Sequence, residues 1–360
     1  MNKLKVCVYT ICKNESKFIE RWLNSIKDAD YICVLDTGSA DDTVDKLKKS
    51  DAIWDVKKFD NFRFDIARNE SLKLIPNDTD VCICMDIDEV LLPGWRNELE
   101  KVWNKDTTRL RYIYNWSLDE FDKPKVSFYQ DKIHAYKGYT WINPVHEILK
   151  YSGENEIYAQ SDNIIINHYP DKEKSRSSYL PLLELSVKEN PENDRNVHYL
   201  GREYMYYKMW DKSIDMLKKH LQLNSAVWKD ERCASMRFIA RCYDNLGNFE
   251  ESQKWLLKAI DEAPHLRDPL VEMAILYYKK NDWDNVIKYG LKALEIPINY
   301  KTYINEVFSF DETLDDLLSL AYFNKHDKES AICHAKKALE INPNNSRIKN
   351  NLIIMQSSNY

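Results

Sequence analysis

Met85-Asp86-Ile87-Asp88-Glu89 is the segment with the most chemical content. It follows Val81 to Met85, an apolar run that reads as a buried strand. Two carboxylates at i and i+2 past a strand end can offer oxygen ligands to a hard divalent cation, with phosphate oxygens filling the rest of the shell. A bare acidic pair also fits a solvated turn or a helix start. The position behind a buried strand is what favours the cation.

Two further segments share this character. Asp36-Thr37-Gly38-Ser39-Ala40-Asp41-Asp42-Thr43 ends a second apolar run. Gly38 permits a tight turn. Ser39, Asp41 or Asp42 can cap a following helix. That leaves Asp36 to accept hydrogen bonds from a base or ribose, the alternative being a turn with a cap and nothing more. In Phe64-Asp65-Ile66-Ala67-Arg68-Asn69, Arg68 has the planar fork that suits phosphate or base, or else a surface salt bridge.

The elements that must hold these residues alternate. Lys5 to Ile11, Tyr31 to Leu35, Ile53 to Val56 and Val81 to Met85 read as strands. Glu15 to Lys27, Asp42 to about Lys49 and Phe64 to Leu74 have helical spacing. Repeated strand–helix units predict a mainly parallel, Rossmann-like α/β sheet. Ligands bind such sheets beyond the carboxyl ends of the strands, where Thr10, Asp36 and Asp86 fall. Arg109 to Trp116, Lys125 to Tyr129 and Ile164 to Asn167 read as further strands with more antiparallel character.

From about residue 175 the pattern is helical. Ala240, Tyr243, Gly247, Ser252, Leu256, Ala259 and Pro264 match a helix–turn–helix template that Ala274, Tyr277, Val286, Gly290 and Ala293 repeat, with Tyr243 to Tyr277 and Ala259 to Ala293 both spaced by 34. Tyr322, Ala331, Ala338 and Pro343 give a later copy, and Gly201, Tyr204, Ser213 and Leu217 an earlier, degenerate one. The period is that of tetratricopeptide repeats, in which small residues let paired helices approach. The expected division is 1–172 for the α/β domain (1–108 the half that carries the acidic and Asp36 segments, 109–172 the second half), 173–192 for a linker helix and 193–360 for the repeats.

Composition narrows the function classes. Hydrophobic residues at 44% and charged residues at 31% indicate a globular chain rather than a disordered one. A net charge of −6 disfavours nucleic acid as the main partner, because counterion release rewards a basic surface. No stretch reaches the roughly 18 apolar residues of a membrane span. The opening MNKLKVCVYTIC lacks the apolar core of a signal peptide. A cytoplasmic location is the expectation. Eight scattered cysteines form no CxxC pair and read as buried free thiols.

The combination Thr10-Ile11-Cys12-Lys13-Asn14-Glu15, Leu35 to Val44, Ala67-Arg68-Asn69, Met85 to Glu89 and Val145-His146-Glu147 resembles the family 2 glycosyltransferases of GT-A fold. It is most similar to the subgroup with C-terminal tetratricopeptide repeats, which includes bacterial enzymes that attach sugar to a peptide cysteine. The resemblance implies inverting transfer from a nucleotide sugar, usually a UDP-sugar, with Mn²⁺ or Mg²⁺. Carried over by position, Thr10, Asn14 and Glu15 border the nucleotide pocket, and Asp36 and Arg68 hold the uridine. Asp88 ligates the metal, with Asp86 near the ribose or a metal-bound water and His168 as a further ligand. Glu147 is the expected base that deprotonates the acceptor, and His146 the residue that orients diphosphate or acceptor. Trp116, Tyr129, Tyr136, Tyr139 and Trp141 form an aromatic stretch that lines a pocket or packs the core.

The repeats point to a peptide or protein acceptor, since such arrays build concave grooves, or to a homodimer. Competing acceptors are cell-surface polysaccharide or lipooligosaccharide, and modified DNA bases. The non-enzymatic alternative is a repeat scaffold carrying a degenerate transferase domain.

Overall fold

The central strand of the first sheet is VCVYTIC, buried at every position. Such a run suits a strand covered on both faces, which is where parallel sheets place their middle strands. In the computed structural model, which describes residues 3–171, 179–297 and 302–358, this strand is β1 (Val6–Cys12). It pairs in parallel with β2 (Tyr31–Asp36) and with β4 (Val81–Cys84), and β2 pairs in parallel with β3 (Ile53–Val56). The Asp36 segment after β2, the acidic segment after β4 and the Asn14 loop after β1 therefore leave the same end of one sheet.

Six more strands follow: β5 (Glu89–Leu91), β6 (Arg109–Leu118), β7 (Pro124–Ala135), a separate ribbon of β8 (Tyr139–Ile142) and β9 (Ile148–Tyr151), and β10 (Tyr158–His168). The main sheet runs β3-β2-β1-β4-β7-β6-β10-β5. β7 is antiparallel to both β4 and β6, so the expected antiparallel character enters at the middle of the sheet. β5, β8 and β9 are too short, at three or four residues each, to carry a readable alternation.

The connecting helices are α1 (Ile19–Ser25), α2 (Thr43–Leu47), α3 (Phe64–Leu72) and α4 (Trp95–Val102). The first is shorter than the helical spacing from Glu15 to Lys27 predicts. Asn14 has φ 57°, and Phe18 and Ile19 both bond back to the Glu15 carbonyl, so residues 14–18 form a turn.

The chain divides into two compact units, Met1–Ser186 and Val187–Tyr360. α5 (Tyr179–Glu189) falls within the expected linker helix, whose residues 173–178 lie outside the described residues. The second unit contains α6 (Asp194–Tyr206), α7 (Trp210–Gln222), α8 (Lys229–Asn245), α9 (Phe249–Glu262), α10 (Asp268–Tyr278), α11 (Trp283–Leu294), α12 (Thr313–Asn324), α13 (Lys328–Ile341) and α14 (Ser346–Ser357). Asn248, Asp282 and Asp327 cap α9, α11 and α13 by accepting the amide three residues on. Ala240, Ala259, Ala274, Ala293, Ala321, Ala331 and Ala338 are buried where paired helices meet. No helix among the described residues is long and apolar enough to cross a membrane. The cysteines are free thiols, buried except for Cys333.

Candidate active site

β1 and β2 end level with each other, with Cys12 paired to Asp36. The loops beyond them are clipped together by their own polar side chains. Asn14 donates its amide to Ser39 Oγ at 2.8 Å and accepts the Ala40 amide on Oδ1 at 2.7 Å. Glu15 and Ser16 donate their amides to Thr43 Oγ1 and Asp41 Oδ2. Burial would push the Asp41 carboxyl up, but these amide and hydroxyl donors hold it down at about 2. The two motifs are thus one structural feature. Thr10 lies beneath it, fully buried, with its hydroxyl on the Ile11 carbonyl.

Asp36 is engaged within its own turn. Oδ1 accepts the amides of Gly38 and Ser39, both at 2.8 Å, and Oδ2 accepts the Ser39 hydroxyl and the Cys12 thiol. Gly38, at φ 107°, takes the left-handed conformation this geometry needs.

Arg68 does not project toward solvent. Its side chain is 3% exposed. Nη2 donates to Asp86 Oδ1 at 2.7 Å, Nη1 to Cys84 Sγ at 3.1 Å, and Nε to Glu147 Oε1. The guanidinium also lies 5.1 Å from the Trp141 ring centroid. One buried cation therefore orients the first aspartate of the acidic segment and the carboxylate expected to be the base. Lys132 Nζ, 3.5 Å from Asp86 Oδ2, adds a second positive charge. Burial alone would raise the Asp86 carboxyl. Arg68 and Lys132 outweigh it and hold the group below the usual carboxylate range. Glu89 is the opposite case. Burial, followed by the charges of Asp86 and Asp88, raises it to about 7, while Oε2 accepts the Asp86 amide at 2.8 Å.

Asp88 faces His168. Nε2 of His168 is 3.4 Å from Asp88 Oδ2, and its Nδ1 is 3.1 Å from the Trp116 carbonyl. The imidazole stacks on the half-exposed Trp116 indole at 4.7 Å. A carbonyl only accepts, so Nδ1 carries hydrogen and the neutral ring presents its Nε2 lone pair toward Asp88. Burial disfavours the imidazolium, but a protonated Nε2 donates to Asp88, and that bond together with the carboxylate charge outweighs burial and raises His168.

The WINPVHE loop is fastened to α3. Asn69 exchanges two 2.8 Å hydrogen bonds with the Trp141 backbone, and the Phe64 amide donates to the Pro144 carbonyl at 2.9 Å. The Trp141 indole donates to the Tyr9 hydroxyl at 2.9 Å, and that hydroxyl lies 2.9 Å from His134 Nε2. His134 Nδ1 faces the Ala135 carbonyl at 2.8 Å. The direction of this buried chain follows: Trp141 to Tyr9 to His134. Burial lowers His134 to about 4, so it stays neutral. His146, at φ 51°, meets Tyr179 edge-on at 5.8 Å.

The structure brings Asp86, Arg68 and Glu147 into one ion-pair cluster and sets Asp88 against His168. Thr10, Asn14, Glu15 and Asp36 form the interlocked turns. Lys132, Tyr9 and His134 carry no motif and were not expected, and Glu89 closes the acidic segment without an expected role of its own. Only the pairing of Ile83 with Ile133 across β4 and β7 brings Lys132 to the acidic segment.

Residues 7–171 match the family described as Glycosyl transferase family 2, and residues 238–266 and 316–345 match the tetratricopeptide repeat. The chain carries a family 2 glycosyltransferase domain followed by tetratricopeptide repeats. It is 28% identical over 239 residues to the SPbeta prophage-derived glycosyltransferase SunS of Bacillus subtilis (strain 168), over 62% of this chain and 54% of that one. Glycosyltransferase SunS of Bacillus phage SPbeta matches to the same extent. The chain therefore spans about half the length of these relatives. Among solved structures, MamA aligns with 48% of this chain and 85% of its own at 18% identity and a TM-score of 0.37.

Proposed function

We propose that this chain is an inverting transferase that moves a sugar from a UDP-sugar to a polypeptide side chain with Mn²⁺ or Mg²⁺. The observation that carries the reading is the polarised end of β4: Asp86 fixed by Arg68 and Lys132, and Asp88 set against an imidazole whose tautomer is fixed from behind. A carboxylate beside a lone-pair nitrogen with a backed second nitrogen is a donor set that fits a first-row divalent cation. Asp88 and His168 would hold it, with Asp86 beside them. When bound, the cation neutralises charge on the departing diphosphate.

The chain's own residues do the rest. The interlocked turns of Asn14, Glu15 and Asp36, over Thr10, border the nucleoside. Asp36 reaches a base or ribose by exchanging the Ser39 hydroxyl or Cys12 thiol for it. Arg68 acts from beneath, orienting Asp86 and Glu147 rather than gripping uridine. Glu147 is the base that removes the acceptor proton, and His146 orients the acceptor or diphosphate. The repeats supply the surface for an extended peptide.

UDP release from a panel of UDP-sugars with Mn²⁺ tests this, with EDTA and Asp88→Ala as controls. Slow hydrolysis of one donor, abolished by both controls, is the expected result. No release together with no metal-dependent UDP binding overturns the reading in favour of a scaffold.

A further inference from the structure

A second cluster of ligand-type side chains lies within the helical unit. Asp194 is in the first turn of α6, His220 in the last turn of α7 and Glu231 in the first turn of α8. Their candidate ligand atoms all lie within 4.8 Å of one another. His220 is fully buried and Glu231 is 4% exposed, while Asp194 is half-buried and gives the cluster an edge toward solvent.

The orientation of these groups is more telling than their proximity. His220 Nε2 has no hydrogen-bond partner, although Glu231 Oε1 is 3.3 Å away. The other face of each group is anchored. His220 Nδ1 is 2.9 Å from Ser235 Oγ, and that hydroxyl is 2.8 Å from His198 Nδ1. Glu231 Oε2 accepts the Tyr303 hydroxyl. A ring held through Nδ1 and a carboxylate held through one oxygen leave Nε2 and Oε1 facing inward. Histidines that ligate metals are backed through their second nitrogen in this way.

We propose that Asp194, His220 and Glu231 bind a zinc-type divalent cation, through His220 Nε2 and one oxygen of each carboxylate, with water completing the shell. One neutral imidazole and two carboxylates balance a double positive charge and match zinc's acceptance of nitrogen and oxygen donors. The ion cross-links three successive helices and so acts as a staple at the start of the repeats. The proposal is independent of the transferase reading.

The test is calorimetric Zn²⁺ titration of the full chain carrying Asp88→Ala, so that metal bound in the first unit does not enter the count. One ion bound is expected, together with a raised melting temperature. Adding Asp194→Asn should weaken binding by at least about tenfold and remove the thermal shift, while leaving metal-free melting unchanged because the residue is only half-buried. His220→Gln should abolish binding. No Zn²⁺ bound by the Asp88→Ala chain, or affinity unchanged by Asp194→Asn, overturns the proposal; the second result holds even where His220→Gln fails to fold.

Discussion

Arg68 Nη2 donates to Asp86 Oδ1 at 2.7 Å, from a side chain that the fold seals from water on nearly every side. The same guanidinium holds Glu147 through Nε. Two carboxylates separated by 61 positions in sequence are thereby fixed by one cation.

Replacing that cation should damage both stability and transfer. Arg68→Met keeps most of the volume, takes the counter-charge from Glu147 and leaves Asp86 with Lys132 alone. Removing one partner of a buried ion pair costs roughly 3–5 kcal/mol. Urea unfolding should show a loss of that size, and sugar transfer should fall by about 100-fold or more. Arg68→Lys should recover part of the stability and little activity, since an ammonium cannot supply the fork. Wild-type stability for Arg68→Met would mean that the pairs contribute nothing net.

Glu147→Gln separates two roles for one carboxylate. As the base, Glu147 is needed for proton removal and not for donor affinity. The variant should bind UDP-sugar normally and lose transfer by roughly 100-fold or more. Near wild-type turnover would leave Glu147 as an anchor for Arg68 and nothing else.

His134 makes the first unit sensitive to acid. Its folded value is lowered to about 4 by burial, against about 6.5 in an unfolded chain. Between those values the unfolded chain binds a proton that the folded chain does not. Stability is therefore complete above about pH 6.5 and falls as pH drops toward 4, by on the order of 3 kcal/mol in all. Glu89, raised to about 7, adds a slope of opposite sign over part of this range, so the His134 slope should appear as the difference in urea midpoint between wild type and His134→Gln, shrinking as pH drops from 7 to 4. His198, lowered by burial to about 3, has the same sign in the second unit.

Gly201 tests the packing of the helical unit. A Cβ there would meet Leu217 Cδ2 and Cγ at 2.6 Å, and Leu217 is fully buried. Alanine gains about 1 kcal/mol in helix propensity over glycine, whereas overpacking a filled core costs about 1–3 kcal/mol. The clash should win, so Gly201→Ala should lower the thermal midpoint of the second unit. Gly201→Ala/Leu217→Ala should recover part of the loss relative to Leu217→Ala alone. An unchanged midpoint for Gly201→Ala would show that Leu217 has room to move.

The sequence by itself determined the elements whose signals are local. The apolar runs of β1, β2 and β4 and the 34-residue recurrence of Tyr243 and Ala259 identify a parallel sheet and a repeat array. The acidic segment at Asp86 and Asp88, the Asp36 turn and the Asn14 loop were legible too, because a motif of adjacent residues survives without knowledge of its neighbours. What the side chains contact was not legible. Arg68 reads as a residue that reaches a ligand, and its burial against Asp86 and Glu147 is visible only in the fold. Lys132 stands in no motif, and only the antiparallel register of β7 against β4 carries it to Asp86. His134 and Trp141 are separated by 125 and 132 positions from Tyr9 and meet it through β7 of the same sheet and through β8. Their separation is the physical reason. Strand register and loop docking are settled by long-range pairing and burial, which leave no local trace in the order of residues.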